Sequence, residues 1–178
     1  MTEEPRYNPE TVKVILNVLQ KEYEAEEGRM RFITSKVQMM LTLAGILLTA
    51  IAFLFSVVIE NNWLSNLNRT LLFFAASFVI IAFALLLHVM KIKEFKRIKY
   101  EALVSNSELK KDNVEVESRL ISTYEDALKD NTPVVNKMAK VFQGGTISII
   151  IAILLIYTVL LTILNINLKT FIGGIYGR

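Results

Sequence analysis

Three long apolar blocks interrupt an otherwise charged chain. The first, Val37 to Ile59, has no charged side chain. The second runs from Leu71 to Met90 and the third from about Gly144 to Leu168. At about 1.5 Å of helical rise per residue, each block is long enough for the roughly 30 Å hydrocarbon core of a bilayer. Burying three such blocks inside a soluble domain would need a far larger polar shell than the rest of the chain offers. The first block also begins too late and runs too long for a cleavable signal peptide. The pattern predicts an all-α integral membrane protein with three transmembrane helices and a cytoplasmic helical extension. Its segments are 1–36 and 91–143 inside, spans at 37–59, 71–90 and 144–168, an outer loop at 60–70, and an outer tail at 169–178.

Within the first block, small or polar residues recur at steps of three and four: Ser35, Gln38, Thr42, Gly45, Thr49, Ala52 and Ser56. The third block carries a shorter counterpart in Gly144, Ser148 and Ala152, followed by Thr158, Thr162 and Asn165. The second offers Ser77 and Ala84. Lipid tails are as apolar as leucine, so helices in a bilayer associate through close backbone approach at small residues and through hydroxyl bonds. Two readings follow. Gln38, Thr42, Gly45, Thr49, Ala52 and Ser56, with Gly144, Ser148 and Ala152, pack the three spans of one chain together, or they form a subunit interface or hydroxyl-lined pore between copies. No carboxylate or basic ring lies deep in these blocks, which argues against a dedicated ion-coupled transporter.

Basic residues set the expected direction. Arg29, Arg31 and Lys36 precede the first span, and Lys91, Lys93, Lys96, Arg97 and Lys99 follow the second. Lys137 and Lys140 precede the third, whereas Glu60 to Arg69 holds one basic residue. The N-terminus and residues 91–140 are therefore expected in the cytoplasm, with Trp63 as an outer interfacial anchor. Positive-inside orientation accounts for the Lys91–Lys99 cluster without a specific anionic-lipid site.

Asn8-Pro9-Glu10 reads as an N-cap, a proline at the first helical position and an early acid. Val12, Leu16, Leu19, Tyr23, Met30 and Ile33 follow with helical spacing, interrupted by Glu26. With Gly28 as the one weak point, a nearly continuous helix is expected from Pro9 to Ile59, about 40 Å of it outside the membrane. The second span is expected to continue as helix through KIKEFKRIKYEALV to Ser105-Asn106-Ser107. A helix over Val114 to Leu128 would present Leu120, Ile121, Tyr124 and Leu128 on one face. Asn131-Thr132-Pro133 then reads as a stop and a fresh N-cap for the third span.

Composition narrows the chemistry. There is no cysteine, which removes disulfides and thiolate sites, and a single histidine, His88, leaves no basis for a His-based metal site. His88 lies near the cytoplasmic end of the second span and reads as an interfacial residue or a pH-sensitive one. The run EYEAEE (Glu22, Glu24, Glu26, Glu27) reads as a solvated face, with Glu27 placed to pair with Arg31. Gly144-Gly145 and Gly173-Gly174 lack any phosphate-loop context and read as packing and tail flexibility. No enzymatic activity, cofactor, metal or nucleic-acid partner is expected.

The stretch EYEAEEGRMRFITSKVQMMLTLAGILLTAI, with Lys36 before a span whose leucines flank a glycine (Leu41, Gly45, Leu48), resembles small membrane effectors of prokaryotic anti-phage systems. These are the transmembrane effector of the Pycsar cyclic-pyrimidine system and the SLATT modules. The order of a second span, a cytoplasmic helical excursion and a Tyr- and Lys-bearing helix entering a last span (Tyr124, Lys137) is similar too. The acid often found near the lysine is replaced here by Thr34-Ser35. The resemblance implies a homo-oligomeric effector in the plasma membrane that disrupts the bilayer when triggered through its cytoplasmic helices, with a cyclic nucleotide or cytoplasmic protein as the trigger. The alternative is a structural or partner-binding subunit whose cytoplasmic helices dock another protein.

Overall fold

The computed structural model describes residues 8–60, 66–92, 95, 96, 98 and 113–176 (backbone only at 57–60, 113 and 166–176). Trp63 and Ser105-Asn106-Ser107 lie outside the described residues. Three helices account for the fold: α1 (Pro9–Glu60), α2 (Asn66–Lys91) and α3 (Asn113–Tyr176). Each is long and apolar enough to cross a membrane, so the protein is an all-α chain with three membrane-spanning candidates.

The start of α1 follows from its first residues. The Glu10 N–H donates to Asn8 Oδ1 at 3.0 Å, and the Val12 N–H donates to the Asn8 carbonyl at 3.1 Å. This satisfies amide groups that a helix N-terminus leaves without partners. From there one face turns inward. Val12 and Ile33 are buried, and Leu16, Leu19, Tyr23, Glu26 and Met30 between them are partly covered.

Two expectations are corrected. First, α2 ends at Lys91, and Ile92, Phe95, Lys96 and Ile98 are not helical. The Lys96 backbone is paired with a side chain instead of a helical neighbour, as described below. Second, Asn131-Thr132-Pro133 does not stop a helix: α3 runs unbroken from Asn113 to Tyr176, through Pro133 and on through Gly173-Gly174. Proline removes one backbone donor, but Asn131 does not act as a cap because its amide is fully buried and bonded laterally.

Contacts divide the chain into two units. One comprises residues 1–33 and 92–139, the other 34–91 and 140–178. The second holds the apolar packing. On α2 the fully buried residues are Leu72, Ala75, Val79, Ala82, Leu86 and Val89, at steps of three and four. On α3 the matching set runs through Gly145, Ile149, Ala152, Ile156 and Val159. A Cβ built on Gly145 would lie 3.1 Å from Cγ and Cδ2 of Leu86 and 3.6 Å from the Ala82 carbonyl. At the other end Leu72 clusters with Val159. Leu86 meets Gly145 and Leu72 meets Val159, so the pairing runs antiparallel with equal advance on both helices. A repeat of 3.5 residues is the signature of shallow, interdigitated helix packing. On α1 the buried positions in this unit are Val37, Ala44 and Ile51, one heptad apart, with Leu54 and Phe55 packed on the Leu72 cluster.

One polar group sits badly in this unit. Asn68 is fully buried, and neither its Oδ1 nor its Nδ2 has a hydrogen-bond partner. An unpaired buried amide retains its desolvation penalty of about 1–3 kcal/mol. Gly145→Leu is expected to lower the thermal midpoint in detergent, because overpacking this contact costs about 1–3 kcal/mol. Asn68→Leu, which keeps the branched skeleton and removes both orphan groups, is expected to raise it. Light-scattering or dye-based melting of the purified variants checks both signs.

Candidate functional site

The two small-residue stripes have opposite fates. On α3, Ser148 and Ala152 are buried and Gly144 is half-buried, with a Cβ at Gly144 coming no closer than 3.6 Å to Leu85. The tightest contact belongs to its neighbour Gly145. On α1, Gln38, Thr42, Gly45, Thr49, Ala52 and Ser56 are all exposed, as is Ser35. A Cβ at Gly45 would meet nothing within 4 Å. Among the described residues the α1 stripe is therefore exposed, and the inward face is the one carrying Val37, Ala44 and Ile51. Sequence spacing could not separate the two faces, because each repeats every three or four residues.

On α2, Ser77 is half-buried and Ala84 exposed, while Ala75 and Ala82, not singled out from the sequence, are fully buried, and the Ala82 carbonyl lies close to Gly145 of α3. Their signal was present: alanine alternating with Leu and Val at the 3.5-residue step. Thr158 and Asn165 are exposed and Thr162 half-buried.

The hydroxyls of the spans do not depend on neighbouring helices. Thr42 donates to the Gln38 carbonyl at 3.2 Å, Thr49 to that of Gly45 at 3.1 Å, and Ser56 to that of Phe53 at 2.8 Å. Ser148 does the same to Gly144 at 3.0 Å, and Thr158 and Thr162 bond one turn back at 2.9 Å each. This back-bonding hides hydroxyls from lipid. It makes the serines and threonines of the open α1 face compatible with a bilayer. Gly45, which gives up contact area, and the Gln38 amide are left without such an explanation.

The unit of residues 1–33 and 92–139, the polar unit, contains the densest hydrogen bonding between elements among the described residues. Asn131 Oδ1 accepts the Lys96 N–H at 2.7 Å, and its Nδ2 donates to the Lys96 carbonyl at 3.1 Å. The Tyr23 hydroxyl donates to that same carbonyl and accepts the Ile98 N–H, both at 3.3 Å. Tyr23 also stacks on Phe95 and, edge-on, on Tyr124, with ring centres 5.8 and 5.6 Å apart. Lys96 Nζ pairs with Asp130 at 3.1 Å. Side chains of α1 and α3 thus hold the segment after α2 chiefly by its backbone. The sequence marked Tyr23 only as one member of an apolar stripe and Asn131 only as a helix stop. Their lateral role needs two elements far apart in sequence.

In the acidic run Glu22 and Glu24 are exposed, whereas Glu26 and Glu27 are partly covered and have local partners. Glu26 and Glu27 pair with Arg29 and Arg31 at 2.7 Å each, and Arg29 also donates to Asn136 Oδ1 at 3.3 Å. Glu26 Oε2 is buried without a hydrogen-bond partner. His88 is exposed on the last turn of α2. Among the described residues no three His, Cys, Asp or Glu side chains converge on a metal-sized site. Compared with protein families, curated proteins and solved structures, the chain finds no match.

Burial, followed by the neighbouring Glu24 and Tyr23, raises the pKa of the Tyr124 phenol above its ordinary value of 10.0. The native state therefore holds this proton more tightly than the unfolded chain does. The associated stability is fully present below the unfolded pKa and is lost as pH rises through the folded one. Absorbance titration of the phenols is expected to show one tyrosine ionising above the ordinary range, and Tyr124→Phe to remove it along with part of the alkaline loss of stability.

Proposed function

We propose that this chain is a non-enzymatic membrane effector. Copies assemble through the open face of α1 into a membrane-disrupting or pore-type complex, triggered through the polar unit in anti-phage defence. The observation that carries this reading is the exposure of Gln38, Thr42, Gly45, Thr49, Ala52 and Ser56 on a helix whose other face is already packed. Lipid has no use for a glycine and an amide in that stripe. A second α1 does, because small side chains allow backbones to approach and a paired amide is relieved of its desolvation. The protein would sit in the plasma membrane with its N-terminus in the cytoplasm and its C-terminus outside, following the basic residues around the spans. The resemblance to Pycsar and SLATT effectors adds the defence context and a cyclic nucleotide or a cytoplasmic protein as trigger.

A second reading has its own support. Val14, Ile15 and Val18 are exposed on α1 within the polar unit, at 63%, 43% and 52%. Apolar side chains clustered outside a bilayer mark docking surfaces. This favours a structural or partner-binding subunit whose cytoplasmic helices hold another protein.

Overexpression separates the two. An effector is expected to depolarise cells and arrest growth, while normal potential at high expression, with and without a cyclic nucleotide, counts for the docking subunit. For direction, cysteine introduced at Ser65 is expected to label from outside and at Ser107 only after permeabilisation, and the reverse pattern overturns the topology.

Gly45→Leu tests the α1 face. Space around Gly45 is open in one chain, so the variant is expected to fold normally and to lose oligomers in crosslinking or native mass spectrometry. Thr49→Val removes a hydroxyl already bonded to its own helix, and interhelical bonds of this kind average only about 0.6 kcal/mol. A dry packing seam therefore tolerates it, whereas a water-lined pore loses conductance by dewetting. If both variants assemble and conduct like the parent, the α1 face contacts lipid alone.

A further inference from the structure

The chain leaves α2 at Lys91 although nothing in the next residues ends a helix. Residues 92–98 read Ile-Lys-Glu-Phe-Lys-Arg-Ile, without Gly, Pro, Asn, Asp or Ser. Most of these are good helix formers, and none is a breaker. Local preference and observed conformation therefore disagree, and such a disagreement needs a tertiary cause. The cause is visible in the hydrogen bonds. In a continued helix the Lys96 N–H would bond the Ile92 carbonyl and the Ile98 N–H the Glu94 carbonyl. Here the Lys96 N–H goes to Asn131 Oδ1 and the Ile98 N–H to the Tyr23 hydroxyl. Both Asn131 Nδ2 and the Tyr23 hydroxyl donate to the Lys96 carbonyl. These two N–H groups can serve one arrangement or the other, not both.

We propose that the segment after α2 is a two-state element: Tyr23 and Asn131 clamp it in a form in which Ile92, Phe95, Lys96 and Ile98 are not helical, and it extends α2 as helix when the clamp opens. Asn131 suits this role because it is fully buried and both of its polar atoms are committed to one residue of the segment. Withdrawing it leaves the Lys96 N–H without its partner and the Lys96 carbonyl with the Tyr23 hydroxyl alone, and the helix is the nearest way to supply the missing bond. Phe95 against Tyr23 and Lys96 against Asp130 add weaker side-chain contacts to the clamped state. Clamp contacts read mostly the backbone, so the segment's side chains remain free to favour the helix. As a trigger, the element rests on the effector reading above. As a conformational equilibrium, it stands without it.

The test uses the full chain in lipid nanodiscs, with Cα chemical shifts read at Phe95, Lys96 and Ile98. The parent is expected to give non-helical shifts at all three. Asn131→Leu is expected to move them to helical values, and Tyr23→Phe, which removes the hydroxyl and keeps the ring, to move them part of the way. Adding Lys96→Gly to Asn131→Leu keeps the backbone groups but disfavours the helix, so Phe95 and Ile98 are expected to return to non-helical shifts. Unchanged shifts in variants whose circular dichroism matches the parent overturn the proposal. If Asn131→Leu does not fold, Tyr23→Phe decides alone. Depolarisation is read in parallel. Helical shifts with greater depolarisation support the element as the trigger, and helical shifts with unchanged depolarisation keep the two-state element and remove it from the effector mechanism.

Discussion

Backbone hydrogen bonding governs this chain more than any single side-chain contact. In a bilayer, an N–H or C=O without a partner has no water to turn to, so a spanning segment must satisfy itself internally. Three uninterrupted helices are the answer to that demand, and it reaches beyond the spans. Thr42, Thr49, Ser148, Thr158 and Thr162 return their hydroxyl protons to carbonyls one turn back, closing these hydroxyls within their own helices. At the one point where a described segment leaves helical geometry, the Lys96 N–H and C=O are met at once by a buried asparagine amide. The same requirement makes Asn68 conspicuous: it is as buried as Asn131 and has no partner at all.

With polar groups closed off in each helix, association falls to shape. The α2–α3 pairing has alanines at 75 and 82 on one side and Gly145 and Ala152 on the other, with Leu86 lying over Gly145. Small residues bring the backbones near enough for dispersion contacts that hydrocarbon chains would otherwise provide. The α1 stripe has the same composition and the same step, yet among the described residues it is exposed. In this part of α1 Val37, Ala44 and Ile51 are the buried positions, while Gln38 and Gly45 stay exposed.

The polar unit joins helices by specific bonds where the apolar unit joins them by fit. Tyr23, Asn131 and Asp130 act on one short segment through directional contacts. Directional contacts of this kind can be exchanged for an equivalent set, whereas close packing is not so readily rearranged.

The sequence by itself determined the three helical blocks, the N-cap at Asn8, the inward face from Val12 to Ile33 and the Glu27–Arg31 pair, because each depends on residues within a turn or two of one another. Tertiary structure alone decided that Ser148 and Ala152 of the α3 stripe are buried and the α1 stripe exposed, that Ala75 and Ala82 rather than Ala84 are buried, and that helix α2 stops at Lys91 while α3 passes through Pro133. Local propensity favoured helix beyond Lys91 and a break at Asn131-Thr132-Pro133; Ile92, Phe95, Lys96 and Ile98 are instead non-helical and α3 is unbroken, because Asn131 bonds Lys96, 35 residues away. A side chain with two equally accessible uses, capping its own helix or bonding a distant backbone, cannot be assigned until that backbone is in place.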